Sequence, residues 1–130
     1  MIFDFLIPQR PRSVQAKNVQ TWKHTVKTEA QKTWTGTVLP EDLELHLTLV
    51  YLYHRDPVDV DNIIKPIQDA LIGVIYEDDQ QITDVQAHRR HLKGTFDPLN
   101  YPDLLLQGIY TGSECVYVRI CQSKTLESYL

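Results

Sequence analysis

An alternating segment from Asp42 to Tyr53 places the strongest constraint on the fold of this chain. Leucine or tyrosine occupies every second position from Leu43 to Tyr53, and several of the intervening positions are polar. Because successive side chains of a β-strand point to opposite faces, this pattern predicts a strand with one buried face. Such a strand requires a sheet and a second layer that covers the apolar face.

Two segments with helical periodicity supply that second layer. Apolar residues recur at spacings of three and four over 13–34, which predicts a helix with Ser13 as its N-cap. A second apolar stripe predicts a helix over Asp61–Ile72, and Gly73 is the expected residue at its end.

Three further strands complete the predicted sheet. They are expected over residues 1–8, 81–89 and 115–121. The first of them is apolar on both sides, which is typical of a central strand. We expect residues 94–113, with Pro98 and Pro102, to form a long irregular connection. The order of elements predicts an α+β fold of one domain over 1–130, in which a two-layer mixed sheet carries helices on one face.

Acidic residues flank the second predicted helix. Asp59 and Asp61 precede it or begin it, and Glu77, Asp78 and Asp79 follow its end. In an extended segment, side chains two positions apart point to the same side, so the first two carboxylates can converge on one point. Carboxylates gathered in this way repel one another unless a cation lies among them.

Lys65 and a divalent metal ion are the two cations that the sequence suggests. Lys65 shares one face of the helix with Asp61 and Asp69 because these residues are four positions apart. Mg²⁺ prefers carboxylate oxygens and retains several waters, so three carboxylates from these segments would hold one or two ions. A site of this kind can activate water for phosphodiester cleavage, and a nearby lysine stabilises charge on the phosphate.

A structural interpretation of the same residues stays open. Asp61 would then be an N-cap, and Lys65 would be its salt-bridge partner one turn later. An EF-hand calcium loop is excluded, because Ile64 stands where the loop needs glycine and Ala70 where it needs glutamate. A carboxylate pair for glycoside hydrolysis has no supporting signal.

Charge and cysteine content narrow the classes of function. The formal net charge of -4 argues against a generic nucleic-acid binder, although many of the acids belong to the proposed site.

Cys115 and Cys121 lie on one predicted strand, about 20 Å apart, which is too far for a disulfide. Free thiols indicate a reducing compartment. No segment has the ~20 apolar residues that span a bilayer. We therefore expect a cytoplasmic protein without a membrane partner, encoded by a cellular or a phage gene.

Together, the acidic segments resemble the signature of the RusA family of Holliday-junction resolvases. The stretches DVDNIIKPIQDAL and YEDDQQITD resemble the pattern D-x-D-N-x-x-K-x-x-x-D-A-L, a short gap, and D-D-x-Q-[IV]-x-D. The matching positions are Asp59, Asp61, Asn62, Lys65, Asp69, Ala70, Leu71, Asp78, Asp79, Gln81 and Asp84. The N-terminal stretch FLIPQRPRSVQAKN is also similar, so the resemblance covers roughly residues 1–90.

The resemblance implies a RusA-like fold and a homodimeric, Mg²⁺-dependent endonuclease, with Mn²⁺ as the other metal to consider. Such an enzyme resolves four-way DNA junctions by paired nicks during recombination and repair. The family's metal-binding, catalytic aspartates fall on Asp59, Asp61 and Asp79, and its catalytic lysine falls on Lys65. Positions expected to support these ligands are Asn62, Asp69, Asp78 and Asp84. Residues 94–113 depart from the family pattern and resemble an insertion of unassigned role.

Basic residues near the site are the candidates for DNA contacts. They are Arg10, Arg12, Lys17, Arg55, Arg89, Arg90 and Lys93. Contacts from lysine and arginine to phosphates would supply most of the affinity for DNA and make it salt-dependent. Three alternatives to a resolvase remain: a nuclease for other branched DNA, a junction-binding protein that does not cut, and an interaction domain whose acids only cap helices and turns.

Overall fold

Four strands and three α-helices make up the fold in a computed structural model that describes all residues 1–130. In chain order they are β1 (Phe3–Ile7), α1 (Val19–Thr33), β2 (Leu45–Tyr53), α2 (Val60–Leu71), β3 (Ile82–His91), α3 (Asp103–Thr111) and β4 (Cys115–Gln122). Short 3₁₀ turns span Asp79–Gln81 and Leu126–Ser128. None of the helices is both long and apolar enough to cross a bilayer.

The sheet has the spatial order β1-β4-β2-β3 and is mixed. β3 runs parallel to β2, whereas β4 is antiparallel to both of its neighbours, β1 and β2. The α+β fold with a mixed sheet is therefore confirmed. Helices α1 and α2 cover one face, where Trp22, Val26, Ile63 and Ile67 pack against the apolar side of β2 in the main core.

The prediction that the first strand lies in the centre of the sheet is wrong, because β1 is an edge strand that pairs only with β4. Its two apolar faces have another cause. Phe5 and Ile7 enter the main core beneath α1, while Leu6 packs on the opposite side in a second cluster beneath α3. An edge strand covered by a helix on each face carries the same pattern as a central strand.

The segment predicted to be irregular contains the helix α3, which packs on the sheet face opposite to α1 and α2. Leu105 joins Leu52 and Tyr117 in the second apolar cluster on that face. Gly108 allows the close approach, because a Cβ atom there would lie 3.0 Å from Cys115 Sγ and 3.2 Å from Leu6 Cδ1. The third helix thus closes only the β1–β4 half of this face.

Several local predictions need adjustment. Helix α1 begins at Val19 rather than at Ser13, whose Oγ instead accepts a hydrogen bond from the Gln15 N–H at 3.2 Å within a preceding turn. Helix α2 ends as expected, because Gly73 has a φ of 79°, a left-handed conformation that glycine adopts without strain. Cys115 and Cys121 are both free, as predicted.

Candidate active site

The start of α2 presents two aspartates to solvent. Asp59 occupies the N-cap position, but its side chain forms no capping hydrogen bond and is 75 % exposed. Asp61 is in the first turn and is also exposed. The nearest cation to Asp59 is Arg89, with 3.8 Å between Nη1 and Oδ1. The helix dipole favours negative charge at this position, which partly offsets the repulsion between the two carboxylates.

Lys65 joins Asp69, one turn further along α2, to Asp79 in the 3₁₀ turn before β3. Its Nζ lies 3.0 Å from Asp69 Oδ1 and forms a close ion pair with Asp79 Oδ2. Lys23 of α1 approaches the other oxygen of Asp69 at 3.4 Å. The expected alternative, in which Lys65 pairs with Asp61, is not the arrangement observed. Lys65 therefore connects α2 to the turn that precedes β3.

This ion pair shifts the protonation equilibria of both partners. The hydrogen bond from Lys65 holds the pKa of Asp79 below its ordinary value. The carboxylates of Asp79 and Asp69 in turn raise the pKa of Lys65. Both groups are charged at neutral pH, so the site contains a fixed ammonium group beside acidic oxygens. An ammonium group held in this way can stabilise charge that develops on a phosphate.

The carboxylate oxygens of the site suit a hard divalent cation, but they do not lie close enough together to share one ion. The oxygens of Asp59, Asp61 and Asp79 are the ligand type that Mg²⁺ prefers. No three acidic, histidine or cysteine side chains lie close enough together to hold a metal ion. Lys65 and Arg89 instead accompany two of these carboxylates. Shared binding of a cation would require Asp79 to exchange its lysine partner for the metal.

One expected supporting residue, Asp78, has a structural role, which it shares with Gln81. Asp78 caps the 3₁₀ turn, where its Oδ1 accepts a hydrogen bond from the Gln80 N–H at 3.1 Å. Gln81 completes this capping box, and its Nε2 donates to the carbonyl oxygens of Pro40 at 2.8 Å and Leu43 at 3.2 Å. These hydrogen bonds fix the turn to the segment before β2 and thereby determine the position of Asp79.

Asp84 is not brought to the other acids. It pairs with His46 in the β2–β3 register. Its side chain points to the same face of β3 as those of Gln86 and His88, which face away from α2. Asp69, in contrast, lies beside Lys65, and Asn62 lies within the first turn of α2. The predicted group of supporting residues is therefore divided between two faces of the sheet.

Asn62 acts through its backbone because of a proline one turn later. Pro66 has no N–H, so the carbonyl of Asn62 loses its usual partner four residues along the helix. That carbonyl instead accepts a hydrogen bond from the Val14 N–H at 3.0 Å. The basic segment before α1 is thereby attached to the start of α2, close to Asp59 and Asp61.

Arg10 is part of a polar network that sequence reasoning did not anticipate. Its guanidinium donates to the carbonyl oxygens of Arg55, at 2.9 Å, and Asp56, and it forms an ion pair with Glu114 at 3.2 Å. Glu114 also accepts a hydrogen bond from the His54 N–H at 2.9 Å. Burial raises the pKa of Glu114, but these hydrogen bonds outweigh burial, and the pKa lies below its ordinary value. The network holds the loop that leads from β2 to Asp59.

The other candidate DNA contacts divide into three groups. Arg89 lies beside Asp59, with its guanidinium carbon 5.9 Å from the centre of the Tyr53 ring. Arg90, the next residue of β3, points to the opposite face. Residues that are exposed without a described ion pair are Arg12, Lys17, Arg55 and Lys93.

Comparison with known proteins identifies the class of protein to which this site belongs. A family model described as Endodeoxyribonuclease RusA matches residues 8–96, which include every acid of the site, Lys65 and Arg89. The class is that of the endodeoxyribonucleases, and the family is one of Holliday-junction resolvases. This chain belongs to the RusA family, and the resemblance seen in the sequence is confirmed. No individually curated protein matches the chain.

Proposed function

We propose that this protein is a Mg²⁺-dependent endonuclease that resolves four-way DNA junctions by paired nicks. The observation that carries the proposal is the position of Lys65, between Asp69 and Asp79 and one turn from the exposed Asp61. All of these residues lie within the segment matched by the family model. Membership of the family supports branched DNA as the partner.

Each residue of the proposed site has a role in hydrolysis. Asp59, Asp61 and Asp79 would hold the metal, with Mn²⁺ as a substitute to test. When bound, the metal supplies an activated water and stabilises the leaving oxygen. Lys65 would contact the phosphate after Asp79 turns to the metal, because its ammonium group is then released from that carboxylate. Arg89 would bind a flanking phosphate from the rim of the site.

A homodimer suits this activity. A two-fold symmetric pair of chains presents two identical sites, and resolution of a junction needs two symmetric cuts. Basic residues around each site, among them Arg12, Lys17, Arg55 and Lys93, would bind the arms of the junction through their phosphates. This surface would compensate for the net negative charge of the chain.

A junction-binding protein that does not cut is the second candidate. The observation that favours it is the arrangement of the acids, since no three of them lie within reach of one metal ion. Such a protein would bind four-way junctions without metal and would leave them intact in Mg²⁺.

Cleavage of a synthetic four-way junction tests the proposal. We expect paired nicks in opposing strands in the presence of Mg²⁺, no nicks in linear duplex of the same sequence, and no cleavage by Asp61→Asn. Thermal unfolding gives a readout independent of activity. Mg²⁺ at about 100 times its Kd should stabilise the wild type by about 2.7 kcal/mol and should not stabilise Asp61→Asn. Absence of cleavage by dimeric wild type in both Mg²⁺ and Mn²⁺ would reject the resolvase.

A further inference from the structure

A groove opens on the face of the sheet opposite to α1 and α2. Because α3 covers only the β1–β4 half of that face, a space of about 370 Å³ remains between the segment before α3 and strands β2, β3 and β4. This volume lies within the range typical of small-molecule sites. The residues of the candidate active site are not among those that line it.

The polar wall of the groove is positively charged. Arg119 of β4 and Arg90 and His88 of β3 line it, and no aspartate or glutamate does. Asp4 lies opposite Arg119 in the β1–β4 register, but its carboxylate accepts a hydrogen bond from the Tyr117 hydroxyl at 2.7 Å and forms no ion pair with Arg119. The groove thus carries positive side chains and has no carboxylate among its lining residues.

Arg119 is the member of this wall that most needs a partner. Its side chain is partly buried, and its Nε is buried without any hydrogen-bond partner. A buried N–H group without an acceptor is costly, so the position of this arginine is under strain from within the fold. An anion in the groove would accept hydrogen bonds from the terminal N–H groups of the same guanidinium.

The opposite wall is aromatic. Phe96 and Tyr101, both partly buried, line the groove from the segment that precedes α3. Aromatic side chains provide stacking surfaces for nucleobases, and they do so without strong sequence preference. The amide of Gln86, on the floor of the groove, adds a hydrogen-bonding group that is not charged.

We propose that this groove binds a nucleotide unit, with its phosphate on Arg119 and Arg90 and its base against Phe96 and Tyr101. Tyr101 and all of α3 lie beyond residue 96, where the family match ends, whereas Arg90 and Phe96 lie within the matched residues. The ligand of the groove could be a free nucleotide or one unit of a DNA strand, which share this chemistry.

The location of the groove relates it to the candidate active site. Arg89 and Arg90 are consecutive residues of the edge strand β3, and their side chains point to opposite faces. One contacts Asp59, and the other lines the groove. A nucleic-acid strand that crosses the edge of the sheet at β3 could thus contact both surfaces.

Titration without metal tests the groove independently of cleavage. The probes are deoxyadenosine 5′-monophosphate, deoxyadenosine without a phosphate, and a short single-stranded oligonucleotide, each followed by isothermal calorimetry and by amide chemical shifts. The variants are Arg119→Gln and Arg90→Gln, and Lys124→Gln is the matched control at an exposed position outside the groove. Arg90 is exposed, so its substitution should leave the fold intact even if Arg119→Gln does not.

We expect the monophosphate or the oligonucleotide to bind at least ten times more weakly to Arg90→Gln than to the wild type or to Lys124→Gln. Shifts at Phe96 and Tyr101 should accompany binding, and the nucleoside alone should bind poorly. Binding of the monophosphate would identify free nucleotides as ligands, whereas binding of the oligonucleotide alone would identify the DNA strand. The proposal is overturned if neither probe binds, or if the groove variants alter only the mass of the oligomer, since the face would then join two copies of the chain. Failure of junction cleavage would leave this test unaffected.

Discussion

Two pairs of aspartates, one at the start of α2 and one shared between α2 and the turn before β3, have similar chemistry but different partners. The front pair, Asp59 and Asp61, is exposed, and its one neighbouring cation is Arg89, 3.8 Å from Asp59 Oδ1. The rear pair, Asp69 and Asp79, shares the ammonium group of Lys65. The front pair is thus available for an added cation, whereas the rear pair already has one. The difference indicates which carboxylates should bind metal first and which should respond only after Lys65 moves.

The largest expected effect separates the two pairs directly. Asp59→Asn should abolish junction cleavage. This loss exceeds the reduction of about 10²–10³-fold that follows removal of one donor that stabilises a transition state. Asp69→Asn should reduce cleavage by less than about tenfold, because it removes only partly exposed ion pairs. Single-turnover rates in Mg²⁺ measure both variants. Equal losses in the two variants would contradict the distinction between the pairs.

The next effect concerns the lysine of the rear pair. Lys65→Met should lower the single-turnover rate by about 10²–10³-fold, because a cation that stabilises the phosphate is lost. The apparent affinity for Mg²⁺ should be unchanged or tighter, since Asp79 no longer has a competing partner. A magnesium titration of thermal stability checks the second outcome. A weaker affinity would mean that Lys65 organises the site rather than acting on the phosphate.

A smaller effect lies in the dependence of stability on pH. The pKa of Asp79 is lowered on folding. Its contribution to the free energy of unfolding is therefore present above the ordinary pKa of 3.8 and is lost as the pH falls through the folded-state pKa. The pKa of Lys65 is raised on folding. Its contribution to the free energy of unfolding is therefore complete below pH 10.5, its ordinary pKa, and is lost as the pH rises through the folded-state pKa. The difference in free energy of unfolding between wild type and Lys65→Met should therefore be largest near neutral pH and decrease towards pH 2.

Urea unfolding at pH 2, 3 and 7 would measure this profile. Lys124→Met serves as the control, since this lysine is exposed and forms none of the ion pairs of the structure. A Lys65→Met difference that stays constant with pH would show that the ion pair contributes nothing through the titration of Asp79.

The smallest effect tests how the front pair is supported. Pro66→Ala restores an N–H that can bond to the Asn62 carbonyl, in competition with the Val14 N–H. The change in stability should stay within about 1 kcal/mol, because an added helical hydrogen bond offsets a lost loop contact. Hydrogen exchange at Val14 should become faster. Unchanged exchange there would mean that the proline does not control this attachment.

The local features of the site were predictable from the sequence, because they depend on spacing within a helix. Asp61, Lys65 and Asp69 occupy one face of α2 by virtue of four-residue steps, and Gly73 ends the helix as expected. The choice of Asp79 rather than Asp61 as a partner of Lys65 was not predictable. It depends on where Gln81 fixes the turn before β3, which is a long-range contact.

The errors in the fold have the same origin. Pro102 predicts irregular structure, but it stands at the N-cap position of α3, where its missing N–H removes no hydrogen bond within the helix. The edge position of β1 follows from its pairing with β4, more than a hundred residues later in the chain. Likewise, the face to which Asp84 points depends on the register of β3 against β2. Local patterns carry no information on any of these pairings.

The close packing at Gly108 makes a cysteine report on the docking of α3. The Cys115 thiol lies beneath this glycine, and burial raises its pKa to about 11, so it is protonated and shielded at neutral pH. Cys121, on the same strand, is only partly buried. A thiol reagent should therefore modify Cys121 first and Cys115 only when α3 leaves the sheet. The ratio of the two rates would measure how often the helix opens, without any engineered residue.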